Sequence, residues 1–555
     1  MTRTVFPLFF AFVVLIGATG NAGATMPALD WHLDASTISA NCTAALSRLS
    51  ARTQSLARER RTDGAVELED AAADARDALA AELFLFNVAS DANVRNASRL
   101  CRLRWRDGIA GILADRNLYA IVAAAPTLRD PIDRALSERW KERMERGGAT
   151  LSGSRRDEYV RLVRERNDLE NRFWTNLADD RTTIRAGRRT IAVDDGTDDF
   201  LRTERDEDAR KAYERAYNRR AAAANVPLLE RTIAIRDRLA HLLGFESWAD
   251  YRLAGNAAGA FAQVQTFLRD AVSAYAQGRP PASMAPWDVE RDAVRPPSRT
   301  IDDALDSVCS ALAVRCGRSA APVWAPGVRA YAVTDASDGR ERGTLYVDVM
   351  RRPGKAPFES VPAVVLPRSS HEAAAAIVAS WKDANDGEID GDRVRSFLGD
   401  AGRAMAIVLA SVPYESLAGV SNEARELDAA VVERLAGETP ATRASLRDAT
   451  IAQIDLAFHS SGSHVDTTRL WAAGVVPAFG QLYDPGTYPQ VASLDLMDGW
   501  DAMLYARAWS QAIAADVLSE GGEKYRRDVL APAASQTLTD ELRNLLGRDA
   551  KPVMP

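Results

Sequence analysis

One histidine in this sequence is followed directly by a glutamate, a pair that could begin a zinc-binding motif. His371-Glu372 matches the first half of H-E-x-x-H, in which two histidines one helical turn apart hold Zn²⁺ and the glutamate acts on a metal-bound water. The residue four positions on is Ala375, so no second imidazole shares that helical face. We therefore interpret His371 as an ordinary residue at the start of a helix.

The other histidines offer little further metal-binding chemistry. His459 and His464 lie five residues apart in "FHSSGSH", predicted as a Ser- and Gly-rich loop, and would need a distant carboxylate to hold a metal. His32 and His241 are isolated, and we expect them at the surface or hydrogen-bonded in the core. With five histidines in the whole chain, an unusual zinc site has few candidate ligands.

Four cysteines could form two structural disulfides. Cys309 and Cys316 are seven residues apart, whereas Cys42 and Cys101 lie on two predicted helices. Four cysteines allow three pairings, and the short spacing favours Cys309 with Cys316, which leaves Cys42 with Cys101. A cysteine metal site is disfavoured because the chain has no C-x-x-C spacing and no histidine near these cysteines.

A carboxylate and a guanidinium occur three residues apart in "FLGDAGRAMA", residues 397–406. That spacing places Asp400 and Arg403 on one face of a helix. The segment is predicted as an amphipathic helix. Its predicted inward face comprises Phe397, Leu398, Ala401, Met405 and Val408.

Helices predominate among the elements that must position these residues. Apolar residues at spacings of three and four predict an amphipathic helix in 157–177, with an inward face of Tyr159, Leu162, Val163, Leu169, Phe173 and Leu177. A second helix is predicted with Pro227 at its start and Gly244 as its C-terminal cap. Pro- and Arg-rich breaks at about 278–298 are predicted as loops.

The middle of the chain departs from this helical pattern. Three short segments rich in β-branched and aromatic residues are predicted as strands: "RAYAV" (329–333), "TLYVDVM" (344–350) and "PAVVLP" (362–367). Asp338-Gly339 is typical of a hairpin turn. The sequence therefore predicts a small sheet, at about 325–370, inside a mainly helical protein.

Composition and the first residues limit the partners and the compartment. Seventy basic against 77 acidic residues give a net charge of -7, which disfavours nucleic acid as a partner. Residues 1–24 carry Arg3, an apolar run and the A-x-A pattern of a secretory signal peptide, so we expect a secreted or periplasmic protein starting near Thr25. No second apolar run reaches about 18 residues, so no membrane span is expected after signal removal.

Five blocks of sequence carry a resemblance to a known family. In order and spacing they resemble the thimet oligopeptidase, oligopeptidase A and peptidyl-dipeptidase family of zinc metallopeptidases, from about residue 130 to 548. The blocks are "RTIAIRDRLAHLLGFESWADYRL", "MAPWDVER", "VWAPGVRAYAVTDASDG" with "GTLYVDVMRRPGKAPF", "YESLAGVSNEARELDAA" and "DGWDAMLYARAWSQAIAADVL".

The resemblance implies a fold and a domain organisation. It implies a mainly α protein, a large helical bowl with a deep central channel, a small sheet on the channel wall and zinc on the channel floor. We expect an N-terminal helical region at 25–215 and a region homologous to the catalytic domain at 216–555.

At the positions where the resemblance implies zinc chemistry, this chain carries other residues. The family's active helix bears H-E-F-G-H, followed by a glutamate ligand on the next helix. The two histidine positions correspond to Gly399 and Arg403, the general base to Asp400, and the third ligand to Asp428, while Gly402 is unchanged. Since glycine has no donor and a guanidinium is a cation, we expect no zinc and no hydrolysis by the family mechanism.

The family's substrate-binding loop and helix give a second comparison. That element supplies a histidine and tyrosines that bind the peptide and stabilise the oxyanion. Only Tyr505 keeps the family's residue type among the tyrosine positions. The corresponding channel positions are Asp495, Gly499, Trp500, Leu504, Tyr505 and Arg507, with Asp498 at the other glycine.

Two functions follow from these observations. The first is an exported, non-catalytic pseudopeptidase that binds peptides or a protein partner, with a peptide adding to the sheet edge near "TLYVDVM". The alternative is an active metallopeptidase that hydrolyses short peptides with a rebuilt metal site. If the zinc is absent, we expect Arg403 to bond Asp428, Asp400 or both, and to replace the metal as the cation of the channel floor.

Overall fold

The computed structural model describes most of the chain. The residues described are 26–27, 29–59, 64–124, 130–193, 197–276, 285, 287, 297–355, 359–381, 387–438, 442–479, 484–497 and 499–554. The predicted signal peptide, Asp498 and nearly all of the Pro- and Arg-rich stretch at 278–298 lie outside them. Within them, no helix is long and apolar enough to cross a membrane.

Helices make up most of the described chain, as predicted. The first twelve are α1 (Ala35–Glu59), α2 (Gly64–Asp77), α3 (Ala80–Val88), α4 (Ala92–Leu113), α5 (Arg116–Ala123), α6 (Pro131–Arg146), α7 (Gly153–Ala178), α8 (Thr197–Thr203), α9 (Glu207–Tyr217), α10 (Ala222–Leu243), α11 (Trp248–Leu253) and α12 (Phe261–Ala276). The remainder are α13 (Ile301–Ala311), α14 (Gly391–Val408), α15 (Glu415–Ala418), α16 (Asn422–Leu435), α17 (Thr442–Ser460), α18 (Thr467–Phe479), α19 (Tyr505–Val517), α20 (Gly522–Tyr525) and α21 (Leu538–Leu546).

Two of these helices test the periodicity argument directly. In α7 all six residues of the predicted inward face are buried, so that prediction is confirmed. The C-terminal cap of α10 is Gly244, whose φ of 89° is in the left-handed region that favours glycine. The predicted start of α10 is wrong, because the helix begins at Ala222 and Pro227 lies inside it. Pro227 is the sixth residue of the helix, where its missing N–H removes one helical hydrogen bond, the one to the carbonyl of Ala223.

The sheet contains five strands, with two short two-stranded pairs elsewhere. Its order is β4 (Val314–Arg318), β5 (Arg329–Asp335), β6 (Glu341–Met350), β8 (Ala373–Trp381) and β7 (Ala363–Val365). Among the described strands of this sheet, only β6 and β8 pair in parallel. The small pairs are β1 (Thr183–Ala186) with β2 (Arg189–Ala192), and β3 (Arg299–Thr300) with β9 (Glu388–Ile389).

The observed sheet corrects two expectations. His371 does not begin a helix: it forms an isolated bridge with Arg368, just before β8. The alanine run of β8 has high helix propensity, but the strand is buried on both faces and tertiary packing decides. The peptide-accepting edge was also misplaced, because β6 pairs with β5 and β8, and the edge strands of the sheet are β4 and β7.

Residues of β8 alternate between two hydrophobic cores. Ala373, Ala375 and Ile377 belong to the larger core, together with residues of α14 such as Phe397. Ala374 and Ala376 belong to the second core, which contains Trp31, Phe84 and Leu85 from the N-terminal region. The sheet therefore lies between the N-terminal helices and α14. The larger core spans residues 49 to 545, and the predicted boundary near residue 215 stays a prediction.

Both predicted disulfides are present. Cys42 and Cys101 join α1 to α4 with a Cα–Cα distance of 5.7 Å. Cys309 and Cys316 join α13 to β4 with a Cα–Cα distance of 6.1 Å. Both distances are within the range a disulfide spans without backbone movement.

Candidate functional site

A cavity of about 700 Å³ opens between the sheet edge and the helices α14 and α16. One wall is formed by residues 359–364, at and before β7, and another by aromatic and basic side chains of α3, α4 and α7. Asp400 and Arg403 of α14, together with Arg425 and Glu426 of α16, lie at its floor. The predicted charged pair is therefore inside a cavity and not on an outer surface.

Helix α14 approaches α16 very closely at Gly402. A Cβ built on Gly402 would lie 2.6 Å from the carbonyl oxygen of Asp428 and 2.9 Å from the Cα of Ala429. Backbone atoms cannot move away from such a contact without separating the helices. Glycine at this position therefore sets the distance at which side chains of the two helices meet.

Arg403 binds two carboxylates at this helix contact. Its Nε and Nη2 donate to the two carboxylate oxygens of Glu426, each at 2.8 Å, and Nη1 donates to Asp400 at 2.8 Å. The Arg403 side chain is 22% exposed, and both carboxylates are nearly buried. A fork-to-fork pair of this kind combines charge with fixed geometry.

Burial and the ion pairs act in opposite directions on these groups. Burial raises the pKa of Asp400 to about 7, although Arg403 lowers it, and one of its carboxylate oxygens has no hydrogen-bond partner. Burial also acts to raise the pKa of Glu426, but Arg403 outweighs it and holds that pKa below its usual range. Glu426 therefore stays ionised and is the carboxylate that most strongly stabilises the positive charge of Arg403.

Asp428, predicted as the third ligand position, does not bind Arg403. Its carboxylate accepts a hydrogen bond of 2.8 Å from the hydroxyl of Tyr525, inside the core. Residues 426 and 428 point in very different directions from a helix, because two residues correspond to about 200° of rotation. Burial raises the pKa of Asp428 to about 7 and that of the neighbouring Glu541 to about 9.

Gly399, the other predicted histidine position, faces a further carboxylate. A Cβ at Gly399 would lie 2.4 Å from Oε1 of Glu433 and 3.6 Å from Nη1 of Arg403. Glu433 also accepts a hydrogen bond of 3.1 Å from Gln511, and burial raises its pKa to about 7. The space that a side chain at 399 would need is therefore taken by the Glu433 carboxylate.

Three of the predicted channel residues line the cavity. Asp495, Trp500 and Arg507 are among its lining residues, together with the Arg403 group. The guanidinium of Arg507 lies 3.2 Å from a carboxylate oxygen of Asp495 and 5.6 Å from the centre of the Trp500 ring. Asp495 first, and Glu426 after it, raise the pKa of Arg507 against the effect of burial.

The other predicted channel residues do not line this cavity. Tyr505 is fully buried, and its hydroxyl donates to Glu423 at 2.6 Å. Leu504 is in the core beside it, and Gly499 is in a turn with φ of 83°. Helix α19 has a buried face. Comparison with the family's motif could not show which of its side chains point into the core and which into the cavity.

Two of the histidines, His371 and His459, are held by neighbouring side chains. Nε2 of His371 lies 3.0 Å from a carboxylate oxygen of Asp77. His459 is not in a loop as predicted: it is buried in α17, where Asp455, one turn earlier, lies 3.0 Å from its Nδ1, and Arg236 lies 3.1 Å from its Nε2. Among the described residues, no group of three or more His, Cys, Asp or Glu side chains is placed to hold a metal ion.

A comparison with known protein families covers the residues that build this site. Residues 200–432, which include β5 to β9, α14 and most of α16, match the sequence model of peptidase family M3. Over this segment, the chain is similar to peptidase family M3. The resemblance noted in the sequence is thereby confirmed at the level of the family.

An individual relative agrees with this family match. It is 31% identical over 182 residues to a mitochondrial intermediate peptidase of Chaetomium globosum, an alignment that covers 28% of this chain and 22% of that protein. The alignment thus spans about a fifth of the length of that relative.

Solved structures extend the similarity in fold to nearly the full length of the chain. A structure of PZ peptidase A with an inhibitor superposes with a TM-score of 0.62 at 12% identity, covering 94% of this chain and 95% of that one. A putative oligoendopeptidase F from Bacillus anthracis gives 0.58 at 13% identity, covering 95% of each. The mainly α fold is therefore shared along nearly the full chain.

The residues of the Arg403 group do not fit a metal ion. A guanidinium carries positive charge and repels a cation, and it already uses three N–H groups on the two carboxylates that could otherwise bind one. Gly399 supplies no donor atom. We therefore assign no chemical step in this site to a metal.

Sequence reasoning missed Glu426, Glu433 and Arg425. Comparison with the family's motif pointed to Asp428. Residues 426, 429, 430 and 433, however, recur at helical spacings of three and four and form one face of α16. The contact of Gly402 with the backbone at 428–429 selects this face of α16, and that contact is known only from the packed structure.

Proposed function

We propose that this chain is an exported, non-catalytic member of peptidase family M3 that binds peptides in the cavity above Arg403. The observation that supports the proposal is the ion-pair group of Arg403 with Glu426 and Asp400. It occupies the helix contact at which the resemblance implies the zinc and its general base. Without an activated water, a carboxyl such as Asp400 has no nucleophile to deprotonate.

The guanidinium takes over the electrostatic role of a divalent cation. Buried carboxylates placed close together raise each other's pKa values and destabilise the fold unless a positive charge is near them. Arg403 supplies that charge to two carboxylates at 2.8 Å, and it also lowers the pKa of Glu433. Arg403 thereby balances part of the negative charge at the floor of the cavity.

Peptide binding is supported by the edge strand that faces the cavity. The N–H and C=O of Ser360 bond to Val378, and the C=O of Pro362 accepts from Ala376. Alternation in an antiparallel pair then turns the backbone groups of Val361 and Ala363 away from β8. The carbonyl of Val361 already accepts from Arg425 at 3.2 Å, and a peptide could add along this edge by backbone hydrogen bonds.

Export is supported by two features of the chain. The two disulfides are typical of oxidising compartments outside the cytosol. The N-terminal sequence has the pattern of a secretory signal. Within this proposal the chain is secreted or periplasmic, and its ligand is a peptide or an exposed segment of a partner protein.

Quenched peptide substrates test the absence of catalysis. The full chain is purified without chelator, its zinc is measured by elemental analysis, and turnover is followed with and without added Zn²⁺. We expect less than one zinc per ten chains and no turnover above buffer. Chelator-sensitive hydrolysis, in contrast, would establish the alternative function, a metallopeptidase with a rebuilt site.

A variant with restored family residues provides the matched control. Gly399→His, Asp400→Glu and Arg403→His together rebuild the H-E-x-G-H pattern on the same scaffold. We expect this variant to bind more zinc than the natural chain, which shows that the assay detects a site when one is present. Equal zinc content in both proteins at near one equivalent contradicts the proposal.

A further inference from the structure

Four arginines form a stripe along one face of α4. Arg95, Arg99, Arg102 and Arg106 recur at spacings of four, three and four residues, which is the period of a single helical face. All four are partly buried. At a rise of about 1.5 Å per residue, the stripe is about 16 Å long.

The arginine stripe runs along three adjoining cavities. Arg95 and Arg99 line a cavity of about 970 Å³. Arg102 and Arg106 line the cavity of about 700 Å³ that contains Arg403, and a small cavity between the two is lined by Arg99, Arg102 and Arg106. Trp174 of α7 lines all three, so they follow one continuous wall.

The larger cavity carries an excess of positive charge, although the whole chain has a net charge of -7. Its lining contains seven Lys or Arg residues and two Asp residues. Arg181 and Lys355 belong to this lining, on the sides of the cavity formed by segments other than α4. Arg352 and Lys355 of this lining pair with Asp348, so the excess of positive charge depends on the other basic residues, including Arg95, Arg99 and Arg181.

Among the described residues, Arg95, Arg99 and Arg181 have no hydrogen-bonded carboxylate, whereas Arg106 of the stripe donates to Glu170 at 2.5 Å. Arg95 donates to the carbonyls of Ala89 and Ser90, and Arg99 donates to the side-chain carbonyls of Asn96 and Asn171. Arg181 donates to two backbone carbonyls. Every hydrogen bond these three make within the described part of the chain thus goes to an uncharged oxygen. Since a half-buried charge is costly without a counter-ion, the wall favours an anionic ligand.

The environment of Arg95 agrees with this interpretation. Burial lowers the pKa of its guanidinium, and the neighbouring Arg181 acts in the same direction, whereas Asp179 and Asp91 act against it. Arg95 remains charged at neutral pH, because an arginine is protonated far above that range. Its positive charge is therefore only partly balanced by the protein.

We propose that the arginine stripe of α4 binds the acidic side chains of an extended peptide that enters the cavity above Arg403. The proposal rests on the peptide-binding function above and adds the class of ligand. Side chains on one face of an extended peptide recur about every 6.6 Å. Successive arginines of the stripe are about 4.5 to 6 Å apart along the helix axis, so alternate acidic residues can pair with successive arginines.

The spacing also distinguishes a peptide from a compact anion. Inorganic phosphate needs several donors that converge on one point, whereas these guanidinium groups are distributed along a line of about 16 Å. Trp174 and Phe86, whose ring centres are 4.5 Å apart, add an apolar surface beside the stripe. A wall with both charge and aromatic surface fits a peptide with acidic and apolar residues in alternation.

Two matched peptides test the proposal by fluorescence anisotropy. Both are labelled octapeptides, one with Glu and one with Gln at every second position, and otherwise identical. We expect the Glu peptide to bind the natural chain at least about tenfold more tightly in 50 mM salt, and the difference to shrink in 500 mM salt because exposed charges are screened. Equal affinities for the two peptides overturn the acidic preference but leave peptide binding intact.

Variants locate the binding site. The double variant Arg95→Gln with Arg99→Gln is expected to lose about tenfold in affinity for the Glu peptide and less than about twofold for the Gln peptide. The matched control is Arg104→Gln: Arg104 is on the same helix but half a turn from Arg95, is exposed, and donates to Thr43. We expect no change in affinity for either peptide in the control.

Each remaining outcome has a defined meaning. If Arg104→Gln loses affinity for the Glu peptide as strongly as the double variant, the proposal is wrong. It is also wrong if the double variant binds the Glu peptide as tightly as the natural chain. Displacement of the Glu peptide by millimolar inorganic phosphate identifies a compact anion site and also overturns it. Binding of neither peptide to the natural chain contradicts the peptide-binding function itself. Unchanged Gln-peptide affinity and melting temperature show that the double variant is folded.

Discussion

Truncation of Arg403 is the most direct test of the ion-pair group. In Arg403→Ala, Glu426 loses two charge-assisted hydrogen bonds and Asp400 loses one, while both carboxylates remain buried at 5% and 7% exposure. Removing one partner of a buried ion pair strands the other charge, which costs roughly 3 to 5 kcal/mol. We expect the free energy of unfolding to fall by that amount at pH 7.

The corresponding change in melting temperature can be calculated from the size of the chain. Unfolding entropy is about 2.1 cal/mol/K per residue, or about 1.2 kcal/mol/K for 555 residues. A loss of about 3 to 5 kcal/mol then lowers the melting temperature by about 3 to 4 °C. Differential scanning calorimetry resolves a shift of that size.

The shift should depend on pH in a defined direction. In the natural chain Glu426 has a lowered pKa, so its stabilisation is present above its unfolded pKa and is lost as the pH falls through its folded pKa. Without Arg403 the same carboxyl has a raised pKa and is destabilising when ionised. The difference in melting temperature between Arg403→Ala and the natural chain should therefore be largest at pH 7 to 8 and should narrow toward pH 5.

Two further variants make the result interpretable. Arg543→Ala is the matched control, because Arg543 also faces two carboxylates, Asp540 and Asp549, but on an exposed helix. We expect it to change the melting temperature by less than 1 °C, as exposed ion pairs contribute little. Adding Glu426→Gln to Arg403→Ala should recover part of the loss. If Arg403→Ala melts within about 0.5 °C of the natural chain at pH 7, the electrostatic reasoning is wrong.

Three other predictions concern packing, pH and covalent links. Gly402→Ala should lower the free energy of unfolding by roughly 1 to 3 kcal/mol in urea titrations, because its Cβ meets the backbone oxygen of Asp428; an unchanged midpoint refutes the close contact. His371 has a pKa raised by Asp77, so its contribution is full below the unfolded pKa and lost as the pH rises through the folded one; His371→Gln should therefore cost more at pH 6 than at pH 9 in thermal melts. Cys42→Ser opens a 59-residue loop and should cost about 4 kcal/mol in urea unfolding, about 2 kcal/mol more than opening the seven-residue loop.

Much of the fold could be predicted from the sequence because its signals are local. The amphipathic face of α7, the cap at Gly244 and the turn at Asp338-Gly339 each depend on nearby residues. The strand β8 could not be predicted in this way. The alanines of β8 have no local preference for a strand. They form one because β6 and β7 pair with this segment and a hydrophobic core covers each of its faces.

Only the part of the candidate site that depends on local spacing could be predicted from the sequence. The pair of Asp400 and Arg403 follows from helical spacing, and the structure contains it at 2.8 Å. The dominant partner, Glu426, depends on how α16 is rotated against α14, which is set by the contact at Gly402. Rotation between two helices is a tertiary property, so one sequence without its packing leaves the choice between Glu426 and Asp428 open.

The alanine strand also limits how this protein can change by mutation. Ala373 and Ala375 are fully buried against the layer that contains α14, so the width of a methyl group sets the distance from the sheet to that helix. A larger residue there, such as Ala375→Val, has to push α14 outward or strain the sheet. Since α14 carries Arg403, such a substitution in the strand would displace the cavity floor without touching it. We therefore expect β8 to tolerate substitution least, although its residues contact no ligand.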